Sequence, residues 1–348
     1  MKIDFLNILK MFYALFIGVI GSLFFIYLNL PLPWLLGSIF AVSLAIRFEN
    51  LKISSPKPFS TPARILIGIT IGSAFTPEIL EFIDIYLYSL LLVIPYTLIT
   101  IIAGMYYYHR YIGFDKKTAY LSSMPGGVVE MVIIGEEIKA NISKITLVQS
   151  SRLFFIVITL PFVIQYIFKV DIAGNKLITT PIVDIDIIGF LYLFIAGLIG
   201  GIIAKKIKLS AAYLIGPMLV SIALHSTGFS HAIVPDEFLK FVQVVFGTII
   251  GFTFKGVKIS EVLKILFSTF GHFIILAIIS IVFIYIAYSL FEFPIISTLL
   301  AFSPGGQAEI NLIAILVAAN VPYITLHHIV RLFIVMNLAP IFAKKMKD

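Results

Sequence analysis

An all-α, polytopic membrane protein built from two inverted repeats is the fold class this sequence predicts, and three observations carry the prediction. The chain of 348 residues is 60% hydrophobic and only 12% charged, with a mean hydropathy of +1.08. No water-soluble core hides that much apolar surface, so the solvent is a bilayer. About three dozen positions recur without a gap 179 residues later, among them Gly18/Gly197, Gly21/Gly200, Gly37/Gly216, Gly68/Gly247, Gly126/Gly305, Glu130/Glu309 and Arg152/Arg331. Finally, Lys and Arg distribute between loops in a way that selects one topology.

Each copy contains six apolar segments, at about residues 11–30, 33–48, 62–78, 84–109, 117–138 and 144–168 in the first. Residues 11–46 carry no charge, and at roughly 20 residues per span they hold two helices, divided at Pro31 and Pro33. Lys2 and Lys10 ahead of an apolar run resemble a signal peptide, but the element recurs near residues 187–204 and reads as a retained helix. The division expected is a first membrane repeat at 1–168, a linker at 169–186 with Asp171, Gly174, Asn175, Pro181, Asp184 and Asp186, and a second repeat at 187–348.

Topology follows from charge. If all six segments cross in each copy, 15 Lys and Arg fall on the cytoplasmic side and 8 outside; if the segment at 117–138 and its counterpart enter and return, 20 lie inside and 3 outside, with Arg152 and Arg331 in the membrane. Lys169, Lys176 and Lys240 are the three outside. The second arrangement has five spans per copy, and an odd number inverts the second copy. Both termini are then cytoplasmic in a multi-pass protein of the cell's inner membrane. The formal charge of +7 sits in these loops, so it sets topology rather than attracting nucleic acid. Cysteine is absent, which excludes disulfides, thiolate metal sites and cysteine nucleophiles.

The chemistry concentrates where the apolar pattern breaks. Copy one reads Ser122-Ser123-Met124-Pro125-Gly126-Gly127-Val128-Val129-Glu130, and copy two reads Phe302-Ser303-Pro304-Gly305-Gly306-Gln307-Ala308-Glu309. Proline removes a donor and clashes with the preceding turn, and two glycines weaken helix further, so the helix breaks and a half-helix is expected from the second glycine. Its free amides and positive dipole end suit an anionic or polar ligand; the plainer reading is a kink that serves close packing. Glu130 and Glu309 either complement that dipole or act as proton or cation carriers. Arg152 and Arg331 stand about two turns into apolar spans and need partners, for which the repeated glutamate is the obvious candidate and snorkelling the alternative.

Copy two is the more polar, with Gln307, Asn311, His327, His328 and Asn337 against Gln149, Ser150 and Ser151 in copy one. His328 aligns with Gln149, three residues before the arginine and on the same helix face. It reads as a ligand or proton group or as a packed histidine, while His327, His272, His225, His231 and His109 read as interfacial. The candidate binding set is therefore Pro125, Gly126, Gly127, Glu130, Gln149, Arg152, Pro304, Gly305, Gly306, Gln307, Glu309, Asn311, His328 and Arg331, with no catalytic, metal or cofactor residue. The glycine spacings at Gly68/Gly72, Gly247/Gly251, Gly18/Gly21 and Gly197/Gly200/Gly201 read as close helix contacts.

These paired motifs, Pro125-Gly126-Gly127 with Glu130 and Arg152 and Pro304-Gly305-Gly306 with Glu309, His327-His328 and Arg331, resemble the AbrB family of duplicated integral membrane proteins over nearly the whole chain. By that resemblance Gln307 and Asn311 look normal for the second copy, whereas the valines at 128 and 132 leave the first copy's site poorer. Members carry two labels, regulator of gene expression and ammonia monooxygenase, and neither corresponds to a mechanism in these residues.

Three functions are then in competition. A non-enzymatic secondary transporter or exporter of a small anionic or amphiphilic organic solute binds it near the midplane between the broken helices and works by alternating access; its partners are the solute, the bilayer, a coupling proton or cation, and a second copy in a homodimer. A regulatory membrane protein acts indirectly through a partner or solute, since no loop carries a DNA-binding element. A membrane monooxygenase needs several histidines or carboxylates at ligand spacing, and only His327, His328, Glu130 and Glu309 are at plausible depth.

Overall fold

A computed structural model describes residues 5–48, 50–77, 83–126, 128–172, 182, 186–209 and 211–345. Every regular element among them is a helix. Copy one supplies α1 (Phe5–Tyr27), α2 (Pro33–Ala45), α3 (Ser60–Ser73), α4 (Ile83–Leu90), α5 (Val93–Tyr106), α6 (Lys116–Ser123), α7 (Val128–Glu137) and α8 (Ile142–Phe162). Copy two supplies α9 (Ile187–Lys206), α10 (Ala212–Ser226), α11 (Asp236–Gly251), α12 (Ile259–Phe291), α13 (Ile295–Ala301), α14 (Gln307–Leu316) and α15 (Val321–Lys345). Most of the linker expected at 169–186 lies outside the described residues.

The duplication extends into the backbone. α7 and α14 begin at positions 128 and 307, and α8 and α15 at 142 and 321, each pair one repeat apart. Left-handed turn residues recur in the same register: Asn29 and Lys208 (φ 52° and 59°), Leu32 and Ala211 (42° and 49°), Lys139 and Ala318 (57° and 50°), Gly113 and Glu292 (76° and 53°). One difference has a local cause. α12 is a continuous helix of 33 residues, whereas its counterpart is divided into α4 and α5. Pro95, which has no N–H and crowds the preceding turn, stands where copy two has Ile274.

Among the described residues, six helical stretches are long and apolar enough to cross a membrane: Phe5–Tyr27, Tyr86–Tyr111, Ile142–Ile167, Ile187–Lys206, Ile259–Phe291 and Val321–Ala343. That is three per copy rather than the five expected. α2 has 13 residues and α3 has 14; at about 1.5 Å per residue each reaches roughly 20 Å of a hydrocarbon core about 30 Å thick. The apolar runs at 33–48 and 62–78 include flanking turn residues that the helices do not. Phe5, Phe16 and Leu23 on α1, Ile188 and Ile195 on α9, and Phe267 and Ile281 on α12 are exposed, which marks the lipid-facing sides.

The chain forms two compact units that cut across the sequence copies. The first comprises Met1–Phe82, Pro161–Lys255 and Asn311–Pro322, and the second Ile83–Leu160, Gly256–Ile310 and Tyr323–Asp348. Each unit takes its main parts from matching stretches of both copies. In the first, α1 crosses α2 where Gly21 and Gly37 meet backbone to backbone, and α9 crosses α10 in the same way at Gly200 and Gly216. Between copies, the position of a Cβ on Gly68 falls against Leu214 O and on Gly247 against Leu35 O, while on Gly72 it lies 2.6 Å from Met218 O and on Gly251 3.0 Å from Ile39 O. Each contact is its partner's image under the repeat. Within this unit each copy supplies to the other the contact that it receives.

Such crossings leave no space for a side chain. Gly216→Val drives a branched side chain into the Gly200 carbonyl, and we expect a loss of about 1–3 kcal/mol in stability. A lowered melting temperature of the purified protein in detergent checks this; an unchanged one refutes the packing.

Candidate functional site

The second compact unit contains both breaks. α6 starts at Asp115, whose Oδ1 accepts from Thr118 N at 3.0 Å, and it ends at Ser123 as Met124 turns extended (ψ 126°) ahead of Pro125. α13 follows Pro294 and ends at Ala301, three residues before Pro304. Both prolines are buried. The half-helices α7 and α14 start one residue beyond the second glycine and are 10 residues long, about 15 Å or half the hydrocarbon thickness.

A break of this kind frees carbonyls that the helix would otherwise satisfy, and in an apolar setting each needs a donor. The arginines supply them. Arg152 donates from Nη1 to Met124 O (2.8 Å) and from Nη2 to Gly126 O (3.5 Å); Arg331 donates from Nη1 to Ser303 O (2.6 Å) and from Nη2 to Gly305 O (2.7 Å). The four acceptors form two pairs one repeat apart. Both side chains are almost fully buried, at 2% and 4% exposure. An arginine at mid-membrane depth costs about 3 kcal/mol, and a hydrogen bond from a charged donor contributes roughly 1.5–3 kcal/mol. For Arg331, two such bonds offset a cost of that size. The placed guanidinium bonds thus run to the backbone of the break, where the sequence suggested a glutamate.

The residue three before each arginine reinforces the same bracket. Gln149 Nε2 donates to Leu121 O (2.8 Å) and Met124 O (2.9 Å). His328 reaches Leu300 O, the matching carbonyl, from Nε2 at 3.0 Å, and its Nδ1 accepts from Arg331 Nη2 at 2.8 Å. A carbonyl only accepts, so the Leu300 bond places the ring proton on Nε2 and leaves Nδ1 as the acceptor. Packing between the copies is reciprocal here too. A Cβ on Gly126 would lie 2.9 Å from Val335 on α15, and one on Gly305 3.3 Å from Ile156 on α8, its image. Each break rests on the other copy's arginine helix.

The remaining candidates are placed less evenly. Glu309 lies in the first turn of α14, half-buried, with its carboxylate folded over Gly306, a position that complements the positive helix end. Gln307 is the half-buried first residue of α14, and Asn311, farther along that helix, is buried and belongs to the first unit. Gly127 lies outside the described residues, as does the side chain of Glu130. Asn337 is exposed and bonds its own helix at Phe333 O.

Several residues in this unit had no signal in the repeat pattern. Tyr96, with 1% exposure, donates to Phe302 O at 2.5 Å beside Ser280, which reaches the same carbonyl at 3.0 Å. His272 is buried with Nδ1 3.1 Å from Tyr108 Oη, and His327 is buried between Tyr323 O (2.8 Å) and Ser89 Oγ (2.9 Å). In the first unit His225 is buried against Ser221 O and Ala232 O. These three histidines are therefore packed, not interfacial, while His109 and His231 are exposed. A groove of about 510 Å3 in the first unit, lined by Leu66, Phe190, Phe194, Phe238 and Phe241 among others, is almost wholly apolar and offers a polar solute little to bind.

Comparison with known proteins places this architecture. The family model AbrB, described as transition state regulatory protein AbrB, matches residues 34–347. The chain belongs to the AbrB family. Within the curated proteins it is 23% identical over 359 residues to the uncharacterized protein YhjN of Bacillus subtilis (strain 168), covering 97% of this chain and 93% of that one. It is 30% identical over 161 residues to a protein of Escherichia coli (strain K12) whose name calls it a regulator, AbrB, covering 46% of this chain and 45% of that one. For this AbrB-family chain, His328→Ala strips Leu300 O of its donor and Arg331 of its ring acceptor. We expect a loss of about 2–4 kcal/mol from two broken buried bonds, read as a lower unfolding midpoint in detergent; an unchanged midpoint counts against the bracket.

Proposed function

We propose that the protein is a secondary transporter or exporter of a small organic anion, in which the two broken helices form the binding region near the bilayer midplane. The observation that carries this is the pair of buried arginines, each fixed on the carbonyls of a proline-glycine break and each recurring in the other copy. Interrupted backbone at membrane depth persists only where protein or a water-filled cavity surrounds it, and opposed half-helices with positive N-termini suit an anionic group. Both guanidiniums are buried in the second unit, and two positive charges there favour a negative ligand. Glu130 and Glu309 are the groups we assign to a coupling proton or cation.

The same reading includes two inverted repeats, 1–168 and 187–348, with re-entrant breaks and both termini on the cytoplasmic side of the inner membrane. The Lys and Arg distribution and the reciprocal contacts support it. Because the chain has no cysteine, single cysteines report topology directly. Lys116→Cys and Ile295→Cys occupy equivalent positions in the two copies, and an impermeant thiol reagent applied to intact cells is expected to label only the second. Labelling from the same side sinks the inversion.

Regulation, as in the name of the Escherichia coli relative, follows in this scheme from the solute moved or from a partner. We propose no catalysis. Transport is tested with the purified protein in liposomes and a panel of labelled carboxylates. Accumulation above protein-free vesicles is expected, with at least a tenfold loss in Arg331→Ala and partial retention in Arg331→Lys; unchanged flux in Arg331→Ala removes this site from the mechanism.

A further inference from the structure

The two breaks share one scaffold but differ in how completely it is satisfied. In copy two, Arg331 holds both carbonyls at 2.7 Å or less, and His328 uses one ring nitrogen on Arg331 and the other on Leu300 O. In copy one, the bond from Arg152 to Gly126 O stretches to 3.5 Å, at the limit of a hydrogen bond. Gln149 donates to two carbonyls but its amide oxygen accepts nothing, and Arg152 Nε donates to nothing, among the described residues. Ser122 Oγ and Ser151 Oγ are likewise buried without a partner, and so is His272 Nε2, which faces Gly104 and Ser123 at this end of α6. Gln149 and Arg152 are 0% and 2% exposed. Buried polar atoms in native proteins are nearly always paired with protein, water or ligand, and four unpaired ones, on Ser122, Gln149, Ser151 and Arg152, lie around the copy-one break.

We infer that the copy-one break is the binding position and the copy-two break a fixed bracket, and that the ligand is a small carboxylate carrying a hydroxyl on the adjacent carbon. This rests on the transport reading and names its solute class. Arg152 Nε is a cationic donor and requires an acceptor, which the carboxylate supplies. Gln149 Oε1, one helical turn away on the same face, is an acceptor and requires a donor, which the neighbouring hydroxyl supplies. Ser122 and Ser151 donate or accept as the head group turns. A plain carboxylate satisfies Arg152 but leaves Gln149 Oε1 buried and unpaired. His328 at the equivalent place has no spare acceptor, because Nδ1 already receives Arg331. The resemblance to the family suggested the opposite ranking, from the valines at 128 and 132 and the polar Gln307 and Asn311.

Lactate and propionate, which differ by this hydroxyl, are the probes. With the full chain in lipid nanodiscs, radiolabelled lactate is expected to bind once per chain and at least tenfold tighter than propionate, the scale of one buried unpaired polar atom. Gln149→His imports the copy-two arrangement, giving Leu121 O a donor and Arg152 an acceptor, so the fold is kept while the free acceptor is removed. Its lactate-to-propionate ratio is expected to fall to about one. Gln149→Glu keeps an acceptor at that place and is expected to retain a preference for lactate over propionate, whatever its absolute affinity. Equal binding of the two anions, two lactates per chain, or a preference untouched by Gln149→His each overturns the inference. If liposomes accumulate other anions while lactate shows no preference, the solute class fails and transport stands; if no carboxylate moves but lactate binds with this pattern, transport fails and the binding site stands.

Discussion

The need to hydrogen-bond backbone carbonyls inside an apolar environment governs the centre of this protein. Proline and paired glycines interrupt a helix in the middle of apolar sequence, and the interruption releases carbonyl oxygens at Leu121, Met124 and Gly126 and at Leu300, Ser303 and Gly305. Water satisfies such groups in a soluble protein, but in a bilayer each has to find a donor within the chain. An arginine delivers several donors in a fixed fork, and its charge, costly alone, is stabilised by the same dipoles it satisfies. The break and the arginine therefore require one another: without the guanidinium the carbonyls are unpaired, and without the carbonyls the guanidinium is an uncompensated ion.

Duplication then acts as a second constraint. Gly68 with Leu214 and Gly247 with Leu35, or Gly126 with Val335 and Gly305 with Ile156, are single contacts used twice. An arrangement in which each copy supplies what the other needs holds neither copy as a body of its own, which is why the compact units draw on both. The glycines at these reciprocal contacts are kept in both copies, while the polar residues around the breaks differ.

Much of this was legible in residue order. Pro125 and Pro304 with their glycines announce where the helices end, and the half-helices begin within a residue of the place expected. Arg152 and Arg331 declare themselves by being charged where everything adjacent is apolar. Their partners were harder to read because a sequence displays side chains, and the eye pairs arginine with Glu130 or Glu309; the acceptors are carbonyls, which every residue has and none advertises. Tyr96, Ser280, Tyr108 and His272 were missed for another reason. Their counterparts are Ile275, Ile101, Ala287 and Val93, so attention to recurring residues passes over them. The shortness of α2 was hidden because apolar composition continues through the turn that ends it, whereas the segment around Gly68 and Gly72 already read as short.

Symmetry of scaffold and asymmetry of chemistry are compatible because they act on different atoms. The bracket needs only donors directed at fixed carbonyls, and both glutamine and histidine supply one, at Leu121 O and Leu300 O. They differ in what remains. A neutral histidine has one donor and one acceptor, and in copy two the carbonyl takes the first and Arg331 the second. Glutamine has two donors and an acceptor oxygen, and its donors alone complete the bracket, leaving the oxygen uncommitted beside a guanidinium that also has a free N–H. One residue type at one repeated position thus separates a closed structural element from one with unspent polar capacity, without any change in the path of the backbone.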